Sequence, residues 1–138
     1  MERVISLLDK REEYFDGLIY GVSIDKLEMG SNVEAEIGEY LEARESLKFQ
    51  VGVAKMIKSS CLEEIVNWRE DLNKLFIEWH LQEEEMKEIQ GILEEQQKVQ
   101  VYRFGEDLSY FLTGNITNFF RWIQVSDDWY VLSFELYD

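Results

Sequence analysis

The sequence predicts a single α+β domain of 138 residues that is mainly helical. Between about residues 61 and 97, apolar side chains recur three and four positions apart, as on one face of a long amphipathic helix. The chain has no proline, which is the strongest helix breaker. After Lys98 the pattern changes to the alternation typical of strands. We therefore expect a long helical hairpin or three-helix core in residues 1–98 and a small antiparallel β element in residues 99–138.

Residues 1–29 allow two interpretations. Helical spacing connects five apolar residues, Ile5, Leu8, Phe15, Ile19 and Val22. Gly17 and Gly21 oppose a helix, because a glycine in a helix interior costs about 1 kcal/mol. The alternative for residues 16–24 is a short strand, and we prefer the helix.

A second helix is predicted to begin at Ser31 and to continue to about residue 58. Ser31 and Glu34 have the spacing of a capping box, in which each side chain accepts a hydrogen bond from a free backbone N–H of the first turn. Gly30 ends the preceding element. Apolar positions between Val33 and Ala54 then follow one helix face.

The long helix is predicted to begin after Ser60, which forms a second capping box with Glu63. Its apolar face is interrupted only at Gln82 and contains eight residues, Ile65, Trp68, Leu72, Leu75, Trp79, Met86, Ile89 and Leu93. A helix of about 36 residues is roughly 54 Å long, which exceeds the span of a compact domain of this size. The helix must therefore protrude, bend near Gly91, or pack along a second copy in a homodimer.

The β element is predicted from three segments. These are a strand over residues 99–104, two helical turns over residues 106–113, and a β-hairpin of residues 119–125 and 129–137. Ser126, Asp127 and Asp128 join the two strands of the hairpin. Because this turn has no glycine, the register of the hairpin stays open.

The charge is strongly negative, with 29 Asp and Glu against 14 Lys and Arg and a net charge of −15. Such a surface repels phosphate, so we expect no direct binding to nucleic acid and no docking on a membrane. A basic protein is the favoured partner, because opposite fields accelerate encounter. The glutamates that begin with Glu83 and Glu84 are either a solvated helix face or an acidic patch that faces a partner.

Residues suited to catalysis or metal binding are sparse. His80 is the only histidine and Cys61 the only cysteine. His80 shares a helix face with Glu83 and Glu84, but the Glu-x-x-His pair of di-iron bundles is absent, since residue 77 is isoleucine. On one continuous helix Cys61 and His80 would lie about 28 Å apart, too far for a nucleophile and its base. We predict no enzyme activity, no catalytic residue, no metal and no cofactor.

The lone cysteine also bears on location. Without a disulfide framework, a reducing compartment is expected. The N-terminal residues do not resemble a signal peptide, since Glu2 and Asp9 flank only a short apolar segment. No segment reaches the ~18 apolar residues that a membrane span needs. We predict a cytoplasmic protein.

The final strand has four apolar residues on one face, Tyr130, Leu132, Phe134 and Leu136. We expect this face to point inward. The other face, with Trp129, Val131 and Tyr137, is either an open patch or covered by helices, and an open aromatic patch with an acidic rim is typical of a binding surface. The predicted partner-binding residues are therefore Trp129, Val131, Tyr137, Asp127, Asp128, Glu83 and Glu84.

These observations predict a small acidic protein without enzyme activity that binds and inhibits another protein, through a basic site on that partner. Bacterial immunity proteins and phage counter-defence inhibitors are examples of this class. The alternative is a structural or adaptor protein that oligomerises through the long helix. An enzyme without a recognisable signature is the third hypothesis.

Overall fold

The framework of the protein is one antiparallel sheet, seen in a computed structural model that describes residues 1–43, 62–104, 110–113 and 116–137. Seven strands are present in these ranges: β1 (Arg11–Phe15), β2 (Leu18–Leu27), β3 (Leu62–Glu64), β4 (Val99–Phe104), β5 (Tyr110–Thr113), β6 (Ile116–Val125) and β7 (Asp128–Tyr137). Their order in the sheet is β1-β2-β7-β6-β4-β3, and β5 also pairs with β6. The same ranges contain the helices α1 (Glu2–Leu8), α2 (Val33–Ala43), α3 (Trp68–Glu78) and α4 (Glu83–Glu95).

The predicted fold class, mainly helical with a small C-terminal β element, is wrong. Strands β1, β2 and β3 come from the part of the chain predicted to be helical, and the sheet forms the centre of the molecule. A helical bundle or coiled coil is also contradicted, because the described helices pack on the sheet and the longest has 13 residues. None of the helices described is both long and apolar enough to cross a membrane.

The helix predicted over residues 61–97 is divided into a strand and two helices. Glu63 lies in β3, so it does not form the predicted capping box. The helix then stops at Trp79, where His80 takes a positive φ of 60°. The N–H of His80 binds the carbonyl of Ile77 (3.1 Å) and that of Leu81 binds the carbonyl of Phe76 (3.0 Å). This pair of bonds is the Schellman motif, which ends a helix and usually has glycine where His80 stands.

The second predicted helix is present, but its first turn is capped differently. α2 begins at Val33, and Asn32 Oδ1 accepts the N–H of Ala35 at 3.1 Å. The cap is therefore Asn32 rather than Ser31. The predicted continuation beyond Ala43 to residue 58 lies outside the described residues, as do Ser60 and Cys61.

The strand alternative for residues 16–24 is the one found. β1 and β2 form a hairpin in which Phe15 pairs with Leu18. The two residues between them, Asp16 and Gly17, both have positive φ, at 54° and 79°. Positive φ at both central residues defines the type I′ turn that joins strands most readily, and Asp-Gly is one of its favoured sequences.

The C-terminal strands agree with the prediction in part. Residues 99–104 form β4, and β6 and β7 form the predicted hairpin. Its register is now set, since Val125 pairs with Asp128 across Ser126 and Asp127. Residues 110–113 form β5 instead of helical turns, and residues 105–109 lie outside the described residues.

Helices cover both faces of the sheet. On one face α1, α3 and α4 pack over the larger core, which includes the predicted inward residues Tyr130, Leu132 and Phe134. On the other face α2 packs over a smaller core through Ile37 and Leu41, neither of which is exposed. Successive side chains of β7 point to opposite faces of the sheet, so they enter the two cores alternately. This explains why residues 129 to 134 are all buried.

Candidate functional site

Two of the predicted partner-binding residues, Trp129 and Val131, are buried under α2. Trp129 is 8% exposed and Val131 is 0% exposed. The Trp129 ring stacks on Tyr102 at a centroid distance of 5.4 Å. Of the two alternatives for this face of β7, the covered one is therefore found here, and neither residue can reach a partner while α2 is in place.

The other predicted residues are spread over three places. Asp127 and Asp128 are exposed at the β6–β7 turn, where Lys26 Nζ lies 3.6 Å from Asp128. Tyr137 is half-buried at the far end of β7, roughly 30 Å away along a strand of ten residues. Glu83 and Glu84 are exposed in the first turn of α4, which packs on the opposite face of the sheet from α2. The seven residues therefore do not form one surface.

The acidic run at Glu83, Glu84 and Glu85 has a local structural role. These residues form the first turn of α4, whose N-cap Gln82 makes no side-chain capping hydrogen bond. Negative charge at this end of a helix interacts favourably with the helix dipole, by about 0.3–1 kcal/mol per residue. The run therefore marks a helix start, which the prediction of one continuous helix over residues 61–97 did not include.

Most glutamates of α4 have a basic neighbour. Four of the six form ion pairs, Glu83–Lys87, Glu85–Arg11, Glu88–Arg3 and Glu94–Arg69. The hydrogen bond donated by Arg3 lowers the pKa of Glu88 below its usual value. Glu84 and Glu95 have no cationic partner among the described residues. The acidic surface is thus partly neutralised within the described part of the chain.

An open groove of about 610 Å³ lies between α3 and α4, and we call it the helical groove. Ile77, Leu81 and Met86 give it an apolar lining, and Ile77 is 63% exposed. Glu83 and Glu94 also line it, and they are about 16 Å apart along α4 at 1.5 Å per residue. The groove therefore combines an apolar lining with an ion pair toward each end, Glu83–Lys87 and Glu94–Arg69.

Gln90 provides a polar point in the helical groove. Its side-chain amide donates to the carbonyl of Arg69 (3.1 Å) and to Asn73 Oδ1 (2.9 Å). Its Oε1 is buried and accepts no hydrogen bond from the part of the chain that the structure describes. A buried acceptor without a donor costs about 1–3 kcal/mol. An occupant of the groove that brings an N–H or O–H to Gln90 would remove that cost.

His80 lies between α3 and α4, so it does not share a helix face with Glu83 and Glu84 as predicted. Its ring stacks on Phe15 at 4.3 Å and meets the edge of Tyr20 at 4.5 Å. Among the described residues, no group of three or more His, Cys, Asp or Glu side chains is arranged to hold a metal ion. The histidine instead fixes the tip of the β1–β2 hairpin against the junction of α3 and α4.

Comparisons with known proteins add little to this geometry. No protein-family model matches the chain, and no curated protein matches it. A crystal structure of citrus MAF1 matches with a TM-score of 0.47 and 13% sequence identity, over 99% of this chain and 97% of that chain. Similarity at this level supports no conclusion about fold or function.

The helical groove was only partly accessible to sequence reasoning. Glu83 was predicted as a partner-binding residue, and it lines the groove. Ile77 and Gln90 were not. The available signal was Ile77 itself, which is apolar but stands outside the three-and-four spacing of its helix. An apolar residue outside the buried seam of a helix is a reason to look for a second contact.

Proposed function

We propose that this protein acts without enzyme activity by binding another protein, and that the helical groove receives a basic amphipathic segment of that partner. The observation that carries the proposal is the groove itself, with its apolar lining, its two carboxylates and the unsatisfied Oε1 of Gln90. A grooved surface of this kind is a common receptor for an amphipathic helix. If the segment belongs to a functional site of the partner, binding inhibits that partner.

The chemistry of the partner follows from the groove. Ile77, Leu81 and Met86 would contact apolar residues spaced by helical turns. Glu83 and Glu94, which form exposed ion pairs with Lys87 and Arg69, would exchange these partners for Lys or Arg at the two ends of the same segment. The net charge of −15 adds long-range attraction for a basic protein and repels nucleic acid. A cytoplasmic location is part of the proposal, and it is based on the single cysteine.

The adaptor hypothesis loses its main support. It depended on one continuous helix over residues 61–97, which would have required a partner along its length. α3 and α4 are separate helices of 11 and 13 residues. Because α3 and α4 are not one continuous helix, helix length no longer favours a homodimer.

A matched pair of glycines tests the groove. Gly91 lies in α4 and lines the groove, whereas Gly38 lies in α2 on the other side of the sheet. A Cβ at either position meets no atom within 4 Å. Replacing a helix-interior glycine with a good helix former stabilises a helix by about 1 kcal/mol. Gly91→Leu and Gly38→Leu should therefore both fold, and only Gly91→Leu should fill the groove.

The measurement is the fluorescence anisotropy of a labelled amphipathic helical peptide of leucine and lysine. A scrambled peptide of the same composition is the control for charge alone. We expect Gly91→Leu to weaken binding at least tenfold, about 1.4 kcal/mol, and Gly38→Leu to leave it unchanged. Equal binding of the scrambled peptide, or equal affinity of the two variants, would contradict the proposal. Replacing Glu83 and Glu84 with Lys should mainly slow association, with a smaller effect in high salt.

A further inference from the structure

A second concave site lies on the face of the sheet against which α2 packs, near the C-terminal end of β7. We call it the sheet groove. Its volume is about 330 Å³, and the residues that line it come from strands β1, β2 and β7 and from the turn before β1. The register places Ser23 opposite Ser133 and Gly21 opposite Glu135, with Glu12 opposite Gly21 on the edge strand. Residues directly opposite in antiparallel strands share a face. The floor is therefore two serines and a glycine, flanked by carboxylates.

The floor contains an unsatisfied polar group. Ser133 is 1% exposed, and its Oγ has no hydrogen-bond partner among the described residues. It stands between Ser23 of β2 and Phe120 of β6, on the face that carries the groove. Buried hydroxyls in folded proteins nearly always have a partner. An N–H or O–H donor that enters the groove would provide one.

The charge around this floor favours a cation. Four carboxylates line the groove, Asp9, Glu12, Asp25 and Glu135. Lys10 and Arg11 line it as well, but the Arg11 guanidinium binds Glu13 and Glu85. Among the described residues that line the groove, carboxylates therefore outnumber Lys and Arg.

Tyr137 fixes one of these carboxylates. Its hydroxyl donates to Glu12 Oε1 at 2.8 Å, and this bond raises the pKa of Tyr137 to about 12. The phenol therefore stays protonated at neutral pH and keeps donating. Glu12, which belongs to the edge strand, is held beside the groove by a residue of the central strand β7.

The arrangement suits an organic cation better than a metal ion. The described residues include no cluster of His, Cys, Asp or Glu that could hold a metal. A guanidinium has five N–H donors in a planar fork, so it can bind a carboxylate with two hydrogen bonds and still donate to a hydroxyl. We infer that the sheet groove binds a guanidinium group, with Asp25 as the carboxylate acceptor and Ser133 Oγ as the buried acceptor.

This inference is independent of the proposed function. The helical groove is formed by α3 and α4, which pack on the opposite face of the sheet. Loss of binding in one groove therefore does not predict loss in the other. The guanidinium has two sources, an arginine side chain of a protein or a small free molecule, and the probes below separate them.

The test is a titration followed by backbone amide shifts in NMR. Ethylguanidinium is compared with ethylurea, a neutral molecule of nearly the same shape. We expect saturable shifts at Gly21, Ser23 and Ser133 with ethylguanidinium and none with ethylurea. Equal shifts with both probes, or no saturation with ethylguanidinium, would overturn the inference.

Two variants locate the site. A Cβ at Gly21 would lie 3.8 Å from its nearest neighbours, which is an ordinary van der Waals contact. Gly21→Ala should therefore fold and make the groove shallower. Asp25 is exposed, so Asp25→Asn removes a charge without a packing change. Each should weaken ethylguanidinium binding at least tenfold, while Gly38→Ala should not change it. Unchanged affinity in both groove variants would place the binding elsewhere and refute the assignment.

The source of the guanidinium is decided by two larger probes. N-acetyl-arginine methylamide imitates an arginine within a protein, and its citrulline counterpart is the neutral control. Agmatine represents a free organic cation. Binding of the capped arginine but not of the citrulline analogue supports a protein source. Binding of agmatine alone supports a small molecule, and binding of neither overturns the inference.

Discussion

Arg121 is the only basic residue in the last twenty residues of the chain, and it is 3% exposed. Its Nε and Nη2 donate to Asp71 of α3 at 2.9 and 3.2 Å, and its Nη1 donates to the carbonyl of Phe120 at 3.0 Å. The guanidinium also lies 4.6 Å from the centre of the Phe119 ring. This bidentate ion pair connects α3 to β6, a central strand of the sheet.

The two sides of this ion pair should respond differently to mutation. Asp71→Ala leaves a buried guanidinium without its counter-charge, and we expect it to cost about 3 kcal/mol in the free energy of unfolding. Arg121→Met leaves Asp71, whose side chain is 22% exposed and can be hydrated, so its cost should be smaller. Urea unfolding measures both. As a control, Glu94→Ala breaks the exposed pair with Arg69 and should cost less than about 1 kcal/mol. A cost as small for Asp71→Ala would contradict this account.

At the level of elements, the decisive feature is the end of α3. A Schellman motif requires a residue in the left-handed region, and glycine adopts that conformation most readily. Here the position is His80, and the ring contacts with Phe15 and Tyr20 hold it. Both contacts come from the β1–β2 hairpin, which is distant in sequence. Contacts with residues distant in sequence therefore favour the end of α3 at this position. The local sequence alone does not show them.

Two substitutions separate the backbone from the ring contacts. His80→Ala and His80→Gly both remove the stacking, but only glycine adopts the positive φ without strain. We expect His80→Ala to be more destabilising than His80→Gly by about 1 kcal/mol, since an L-residue pays roughly 1–2 kcal/mol in this region. Thermal or urea unfolding measures the difference. Equal stability of the two variants would show that position 80 does not need its left-handed conformation.

The elements that the sequence predicted correctly have local signals, and most of those that it did not depend on tertiary contacts. The β6–β7 hairpin and β4 were predictable, because alternation and β-branched content act over a few residues. The Asp16-Gly17 turn was also readable, but the glycine was interpreted as a weak point in a helix. The three-and-four spacing from Trp68 to Leu93 is real, yet it spans two helices that face the same core. The helical groove depends on how α3 and α4 meet, and no local pattern encodes that.

For the whole molecule, the sheet separates two layers with different surfaces. α1, α3 and α4 lie on one side with the helical groove, while α2 and the sheet groove lie on the other. Because helices pack on both faces of the sheet, the aromatic strands β6 and β7 lie at the centre of the protein. The apolar side chains of residues 119–137 are thus used mainly for folding. The helical groove is formed by α3 and α4, and the sheet groove by mostly polar and charged residues of β1, β2, β7 and the turn before β1.

Val131, one of the predicted partner-binding residues, lies against α2. Val131 is 0% exposed, whereas Val66, in the turn before α3, is 92% exposed. The same substitution at both positions isolates the effect of burial. Val131→Ala should cost about 2 kcal/mol in the free energy of unfolding because it leaves a cavity between β7 and α2. Val66→Ala should change the free energy of unfolding by no more than about 0.5 kcal/mol, as surface substitutions do.

Trp129→Ala should cost more than Val131→Ala, about 3–5 kcal/mol, since a larger side chain is removed from the same core. If both core variants keep wild-type stability in urea unfolding, α2 does not cover this face in solution, and Trp129 and Val131 return as candidates for binding a partner.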